Sequence, residues 1–299
     1  MSNRFYLIAI TAVTVFAMAL NGCTKPPAPG TSTPASDGAP ASGGAITVKG
    51  SDTMVHLVTK WTEDYTNAHP GANLIVTGGG SGTGVAALIN GTTDICMASR
   101  SMSEKEKTDA AAKGRTPVEH VVALDGIAII THKSNPMNEI TIEQLGKIYR
   151  GEVKNWNELG GPDQKIIALS RESTSGTYVF FQEHVLEKKD YGADVRLLPS
   201  TAAIVQGAET DAGAIGYVGL GYAHSAGDKV KVLPVKATAD APAVPATVDT
   251  VRSKQYSIAR ELFFYTVGTP SGPVAQFLDY VKGPEGQKTV EAEGYVALK

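Results

Sequence analysis

From residue 45 onward, short apolar runs that are typical of strands alternate with stretches that carry apolar residues at helical spacing. The pattern predicts strands at residues 45–49, 73–77, 94–98, 121–130 and 166–169, and helices at residues 53–68, 84–90 and 178–189. Regular alternation of this kind is typical of α/β proteins. About 255 residues follow residue 44, which is enough for one large domain or for two lobes that share a cleft. The sequence therefore predicts an α/β fold.

Residues 1–23 predict an export signal that is not part of the fold. Arg4 is the only charged residue in this segment before a mostly apolar run at 5–20, which ends in Leu20-Asn21-Gly22-Cys23. This ending resembles a bacterial lipobox, which implies cleavage before Cys23 and lipid attached to that residue. A transmembrane anchor is the less favoured alternative, because the apolar run falls short of the roughly 20 residues that a spanning helix needs.

Residues 24–44 predict a disordered linker. They consist mainly of Pro, Ala, Gly, Ser and Thr and contain almost no bulky apolar side chain, so they cannot bury enough surface to fold. A flexible segment of this length reaches on the order of 25 Å. That reach would let the folded part work beside the membrane that holds it.

Charge and cysteine content argue against several classes of partner and cofactor. The net charge of −3 and the absence of a basic stripe argue against nucleic acid. Cys96 is the only cysteine in the folded part and has apolar neighbours, so we expect it to be buried and outside any disulfide. The six histidines show no metal-ligand spacing. We therefore expect neither a metal nor a cofactor.

Three junctions between a predicted strand and a predicted helix carry hydroxyl groups, and each contains at least one glycine. They are Gly50-Ser51-Asp52-Thr53, Gly78-Gly79-Gly80-Ser81-Gly82-Thr83-Gly84 and Arg171-Glu172-Ser173-Thr174-Ser175-Gly176-Thr177. Unpaired N–H groups and the helix dipole favour an anion at a helix N-terminus, and Arg171 would add a planar cation. Because ligands of open α/β folds collect at the carboxyl ends of the strands, we expect the junctions to converge on one small anion. An ordinary helix cap beside a surface arginine is the alternative for the third junction.

The glycine-rich junction fits two classes of enzyme poorly. Residues 82–87 match the dinucleotide pattern G-x-G-x-x-G/A, but they follow the second predicted strand and lack an obvious acidic ribose partner. The Gly-Lys-Ser/Thr of a Walker loop is absent, and Thr83 occupies the last glycine position of a nucleophile elbow around Ser81. The sequence therefore predicts a binding protein and not an enzyme. A nucleotide or phosphoester enzyme is left as the distant alternative.

Several motifs resemble the phosphate-binding proteins of bacterial Pst-type ABC transporters. These are the three junctions together with Asp94-Ile95, Ser99-Arg100 and residues 151–156, 213–217 and 284–287. The resemblance runs from about residue 45 to the end. It implies a type II periplasmic-binding-protein fold with two α/β lobes, a ligand cleft and two crossover strands. The first lobe would comprise residues 45–125 with 258–299, and the second lobe residues 126–257.

The resemblance also implies a function. The chain would be an extracytoplasmic solute-binding lipoprotein, a monomer in the periplasm or on the cell surface, that captures inorganic phosphate for an ABC permease and is anchored through Cys23. A binding protein for sulfate or molybdate is the nearest alternative. Carried over position by position, the phosphate contacts would come from Ser51, Thr53, Ser81, Arg171, Ser175, Gly176 and Thr177.

One position departs from the family pattern. Many members carry Ser-Asp where this chain has Ser99-Arg100, and that Asp accepts the proton of hydrogen phosphate. We expect Arg100 to add positive charge to the site, with a surface pair to Glu104 as the alternative. Another acid would then accept the proton, and Asp125 is favoured over Asp52. Asp125 interrupts a buried apolar run and needs a partner, either Arg100 or the ligand proton, whereas Asp52 could simply cap a helix.

Overall fold

The structure is a computed structural model that describes residues 44–298. The predictions for the export signal, for Cys23 and for the linker up to residue 43 lie outside these residues. No helix within residues 44–298 is long and apolar enough to cross a membrane.

Strands and helices alternate along most of the described chain, and the α/β class is confirmed. Strands β1 to β12 span, in chain order, Ile46–Gly50, Leu74–Thr77, Ile95–Ala98, Pro117–His132, Ile140–Thr141, Ile167–Arg171, Arg196–Leu198, Ala214–Gly219, Val230–Leu233, Val235–Lys236, Ala243–Val244 and Ala259–Val267. Helices α1 to α10 span Val55–Ala68, Ser81–Asn90, Glu104–Ala112, Ile142–Tyr149, Gly176–His184, Thr201–Thr210, Leu220–Ala226, Val248–Arg252, Gly272–Lys282 and Pro284–Ala292. Short 3-10 helices lie at Asp52–Met54, Trp156–Leu159 and Gly227–Lys229.

Two predicted helices have different ends in the structure. Helix α2 begins at Ser81 and not at residue 84, so the serine of the glycine-rich junction belongs to its first turn. Helix α5 ends at His184 and not at residue 189, because Glu187 and Lys188 adopt positive φ angles of 55° and 64°, which a right-handed helix does not contain.

A single strand, β4, links the two halves of the main sheet. This nine-stranded sheet has the order β2-β1-β3-β12-β4-β8-β6-β7, with β9 also paired to β4. The first part of β4 runs antiparallel to β12, and its last part pairs with β8 and β9. Strand β4 therefore passes from one half to the other, and β12, which follows the second-half residues Tyr256 and Ile258, brings the chain back as a second crossover strand.

The buried apolar side chains form separate groups on the two sides of these strands. The largest lies almost entirely between residues 127 and 258 and contains the fully buried Trp156 and Tyr149. Two others draw on residues before 124 and after 261, and one of these contains the buried Cys96. This grouping follows the predicted lobes, although the described residues all belong to one compact unit. The lobe boundaries stay a prediction.

The C-terminal helices pack on the first helix. Helix α1 buries Leu57, Val58, Trp61 and Tyr65, which share one face because they are spaced by three or four residues. The indole N–H of Trp61 donates to the carbonyl oxygen of Gly286 in α10 at 2.7 Å. This packing joins the C-terminal helix α10 to α1, the first α-helix of the described residues.

Candidate functional site

Three buried serines meet where strands β1, β2 and β3 end. Ser51 follows β1, Ser81 opens α2 after the glycines that follow β2, and Ser99 follows β3. The Ser51 hydroxyl donates to Ser99 Oγ at 2.9 Å, and Ser81 Oγ accepts the backbone N–H of Ser99 at 3.0 Å. None of the three is more than 1% exposed. Their hydroxyls form one polar cluster at the N-terminus of α2.

The N-terminus of helix α5 faces this cluster from the other half of the sheet. Ser175 caps α5, because its Oγ accepts the N–H groups of Thr177 and Tyr178 at 3.2 and 3.4 Å. Among the described residues this hydroxyl donates to no acceptor, so its proton can be donated to a ligand. Gly176 stands so close to the cluster that an added Cβ would collide with the Oγ atoms of Ser81 and Ser99. The positive ends of α2 and α5 therefore point at the same small space.

Two further contacts join the halves at this place. The Oγ1 atoms of Thr53 and Thr177 are 2.7 Å apart, and either can be the donor. The backbone N–H of Gly82 donates to the carbonyl oxygen of Thr174 at 3.0 Å. Thr53 and Thr177 are both buried. The structure thus brings the three predicted junctions together, although they are far apart in the sequence.

Arg171 lies in the site, but most of its donors already have partners. Its Nε donates to the Leu198 carbonyl at 3.3 Å, and Nη2 to the Pro199 carbonyl at 2.9 Å. Its Nη1 donates to Asp52 Oδ2 at 3.1 Å and to Thr201 Oγ1 at 2.9 Å. A guanidinium has five N–H donors, so one N–H on Nη2 has no partner within residues 44–298 and can donate to a ligand.

Asp52 connects the two halves through one of its oxygens. Its Oδ2 accepts both the Nη1 group of Arg171 and the backbone N–H of Thr201, the latter at 2.6 Å. Within the described residues, Oδ1 makes no hydrogen bond. The side chain is 16% exposed, so this second oxygen can accept a further proton donor.

The structure gives Arg100 a partner that differs from Glu104, the alternative to a role in the site. Its guanidinium pairs with Glu106 and not with Glu104, through two bonds of 2.8 and 2.7 Å, and Nη1 also donates to the Ser101 carbonyl. Glu106 is fixed as well, because it forms a capping box with Ser103 at the start of α3. Burial raises the pKa of Glu106, but bonds from Arg100 and Ser103 outweigh it, so the pKa lies below its usual value. Arg100 is therefore neither a surface arginine nor a free cation.

The partner of Asp125 is also different from the two that were expected. Asp125 on β4 lies directly opposite Arg260 on β12, and Oδ2 accepts from Arg260 Nε and Nη2 at 3.2 and 2.9 Å. Oδ1 accepts the backbone N–H of Leu220 at 2.9 Å. Burial raises the pKa of Asp125, and the bonds from Arg260 act against this rise. Both carboxylate oxygens of Asp125 therefore already accept hydrogen bonds from the chain.

Sequence reasoning missed Ser99 and Arg260 as site residues. Ser99 stands in one of the motifs that carry the family resemblance, but no local pattern distinguishes its hydroxyl from those of the other serines. Arg260 did carry a signal, because it is a charged residue in a strand that is otherwise mostly buried and apolar. The same argument had singled out Asp125.

The charges around the cluster cancel in pairs. Each arginine has its own carboxylate: Arg171 pairs with Asp52, Arg260 with Asp125 and Arg100 with Glu106. Hydroxyls and backbone N–H groups are therefore the main donors, an arrangement suited to a tetrahedral oxyanion. Within residues 44–298, no group of three or more His, Cys, Asp or Glu side chains could hold a metal ion.

Comparison with known proteins decides the family. The model of the PBP superfamily domain matches residues 33–285. The phosphate-binding protein PstS of Pseudomonas aeruginosa is 32% identical over 272 residues, which cover 85% of this chain and 83% of that protein. The chain belongs to the PstS family of phosphate-binding proteins. The PstS of Bacillus subtilis is likewise 32% identical, over 256 residues, with 85% of this chain and 81% of that protein covered.

Solved structures confirm the type II periplasmic-binding-protein fold of this PstS family member. A putative phosphate ABC transporter substrate-binding protein from Clostridium perfringens, crystallised with bound phosphate, is 29% identical with a TM-score of 0.78. The alignment covers 86% of this chain and all of the other. An ABC-type phosphate transport receptor from Vibrio cholerae is 26% identical with a TM-score of 0.67, over 85% of this chain and 100% of that one.

Proposed function

We propose that this protein captures inorganic phosphate between its two lobes. The observation that carries the proposal is the meeting of buried hydroxyls from both lobes at the N-termini of α2 and α5. Phosphate oxygens would replace the present hydroxyl–hydroxyl contacts and accept from the same donors. The proposed ligands are Ser51, Thr53, Ser81, Arg171, Ser175, Gly176 and Thr177, with Arg100 and Asp125 completing the surrounding ion pairs.

The proposed site would bind its ligand with little help from net charge. Each arginine is already neutralised by a carboxylate, so the anion is held by directed N–H and O–H bonds. Donors that are fixed before the ligand arrives need little reorganisation when it binds. Because these donors come from both lobes, a bound anion would favour the closed arrangement.

The bound phosphate would then pass to the permease of an ABC transporter. In this proposal the protein is extracytoplasmic and monomeric, and lipid on Cys23 holds it to a bacterial membrane. It performs no covalent chemistry. Support for the transport role comes from the Clostridium perfringens and Vibrio cholerae proteins, which are described as components of phosphate ABC transport.

Calorimetry on one phosphate-stripped sample tests the proposal. Phosphate, arsenate, sulfate and molybdate are titrated in turn, and we expect tight binding of phosphate and arsenate and much weaker binding of the other two. Hydrogen phosphate and hydrogen arsenate can donate a proton, which sulfate and molybdate lack. If the protein prefers sulfate or molybdate, that anion and not phosphate is its ligand. If the pure protein hydrolyses a phosphoester, it is an enzyme.

A further inference from the structure

One buried arginine beside the hydroxyl cluster keeps a donor without a partner. Only 3% of the Arg260 side chain is exposed, yet its Nη1 group makes no hydrogen bond within the described residues. A buried charged donor is costly to leave unpaired, so such a group indicates a partner outside the chain. Arg260 is not among the residues that the family pattern assigns to the ligand.

The planar guanidinium fixes the direction of Nη1. The edge formed by Nε and Nη2 faces Asp125, and both nitrogens donate to its Oδ2. The second N–H of Nη2 donates to Thr177 Oγ1 at 3.0 Å. In a planar guanidinium, one N–H of Nη1 runs parallel to that second N–H of Nη2. Nη1 therefore points beside Thr177 Oγ1, where an oxyanion bound to Thr177 would lie.

Neighbouring groups hold this donor in place. Asp125 lies opposite Arg260 in the β4–β12 ladder, and Leu220 fixes the other oxygen of that carboxylate. The Phe180 ring lies below the guanidinium, with its centroid 5.4 Å from Cζ, and stacks on His184 at 3.9 Å. A guanidinium held on two sides loses little freedom when it binds an anion.

We propose, on the basis of the proposed function, that Arg260 binds the captured phosphate directly. Its Nη1 group donates to a phosphate oxygen next to the one that Thr177 binds. Asp125 is a positioning residue that orients the guanidinium and cancels its charge. The site thus contains a cationic donor on a crossover strand, between the two lobes.

The unpartnered nitrogens do not indicate a second anion site. Arg100 Nε also lacks a partner among the described residues, and Arg100 and Arg260 line the same cavity of about 560 Å³. Glu183 and Glu261 line it too, and both arginines are already neutralised by other carboxylates. The ionic side chains of this cavity therefore disfavour a separate anion, whereas the Nη1 group of Arg260 is aligned with Thr177.

Calorimetric titration of phosphate into the phosphate-stripped mature protein tests this role. Wild type is compared with Asp125→Asn and with the double variant Asp125→Asn/Arg260→Gln, because these two variants differ only at residue 260. Asp125→Asn serves only as the reference, and we expect the double variant to bind phosphate about 30-fold more weakly than Asp125→Asn, or worse. Arg252→Gln, which removes a half-exposed arginine paired with Glu291, controls for the loss of one positive charge.

Thermal unfolding without phosphate checks that the variants fold. If the double variant does not fold, Arg260→Lys takes its place, since lysine keeps the charge beside Asp125 but lacks the second arm of the fork. If the double variant binds phosphate as tightly as Asp125→Asn does, or if Arg260→Lys binds it like wild type, the role of Arg260 is overturned. The proposed function is not affected by either result. A wild type that binds no phosphate overturns the proposed function and this inference with it.

Discussion

At the scale of single residues, the arginines of the site differ in how many N–H donors are available to a ligand. Arg171 donates four of its five N–H groups to Asp52, Thr201 and two backbone carbonyls, so one N–H can bind a ligand. Its role would therefore combine one direct contact with the positioning of the segment at Leu198–Thr201. A substitution there should affect binding and stability together.

Arg171→Ala should weaken phosphate binding about 30-fold or more, because one partner of a buried charged pair is removed. It should also lower the unfolding temperature, since the Leu198 and Pro199 carbonyls lose their donor. Calorimetry and thermal unfolding measure the two effects. Arg196→Ala is the matched control, because that arginine is 58% exposed. Unchanged phosphate affinity in Arg171→Ala would remove Arg171 from the site.

The choice of proton acceptor also belongs to this scale. The sequence favoured Asp125, but both of its oxygens are engaged and the residue is completely buried. Asp52 has an open Oδ1 beside Arg171, so we now expect Asp52→Asn to admit sulfate, because a carboxylate facing an unprotonated anion is lost. Titration of both anions into Asp52→Asn and Asp125→Asn measures this. Sulfate binding gained only in Asp125→Asn would identify Asp125, and not Asp52, as the acceptor of the phosphate proton.

At the scale of helices and strands, the close approach of two helix N-termini depends on a missing side chain. Gly176 opens α5, and an added methyl group would collide with the hydroxyls of Ser81 and Ser99. Those serines belong to the other lobe. The glycine is thus required for packing between lobes, and its φ angle is not in the left-handed region.

Gly176→Ala should lower phosphate affinity sharply and leave each lobe folded, because the methyl group keeps the lobes from meeting at the site. Calorimetry gives the affinity, and small-angle scattering should show a larger radius of gyration than in wild type. Gly44→Ala is the control, since a Cβ there meets nothing within 4 Å. If Gly176→Ala binds and scatters like wild type, the two N-termini do not close on the ligand.

Elements and junctions could be predicted from the sequence, but the ion pairs could not. Strand and helix positions follow from local periodicity, and the hydroxyl-rich junctions are contiguous stretches. Asp125 and Arg260 are 135 residues apart and meet only through the register of β4 and β12. Arg100 and Glu106 are close in sequence, but α3 begins between them, so helical spacing predicts no contact. Partner choice depends on tertiary geometry, which periodicity does not contain.

At the scale of the whole molecule, the lipid anchor is the part of the proposal that lies outside the described residues. Cys23→Ser should move the protein from the membrane fraction to the soluble fraction, because the lipid on Cys23 is the proposed anchor. Fractionation of cells that produce each form is the measurement, with Cys96→Ser as the control for loss of a cysteine. A Cys23→Ser protein that stays with the membrane would show that the apolar run of residues 5–20 is itself the anchor.

The lobes of this protein also bond to each other directly. Asp52 accepts from Arg171 and Thr201, Thr53 meets Thr177, and Gly82 donates to Thr174. These bonds join the lobes directly and not through the ligand, so they favour the closed arrangement. They therefore slow the release of phosphate, whereas the hydroxyl and N–H donors favour its capture. A carrier built in this way does not empty readily by itself. Unloading would need a partner that pulls the lobes apart, and the rate of delivery would then depend on that partner more than on phosphate affinity.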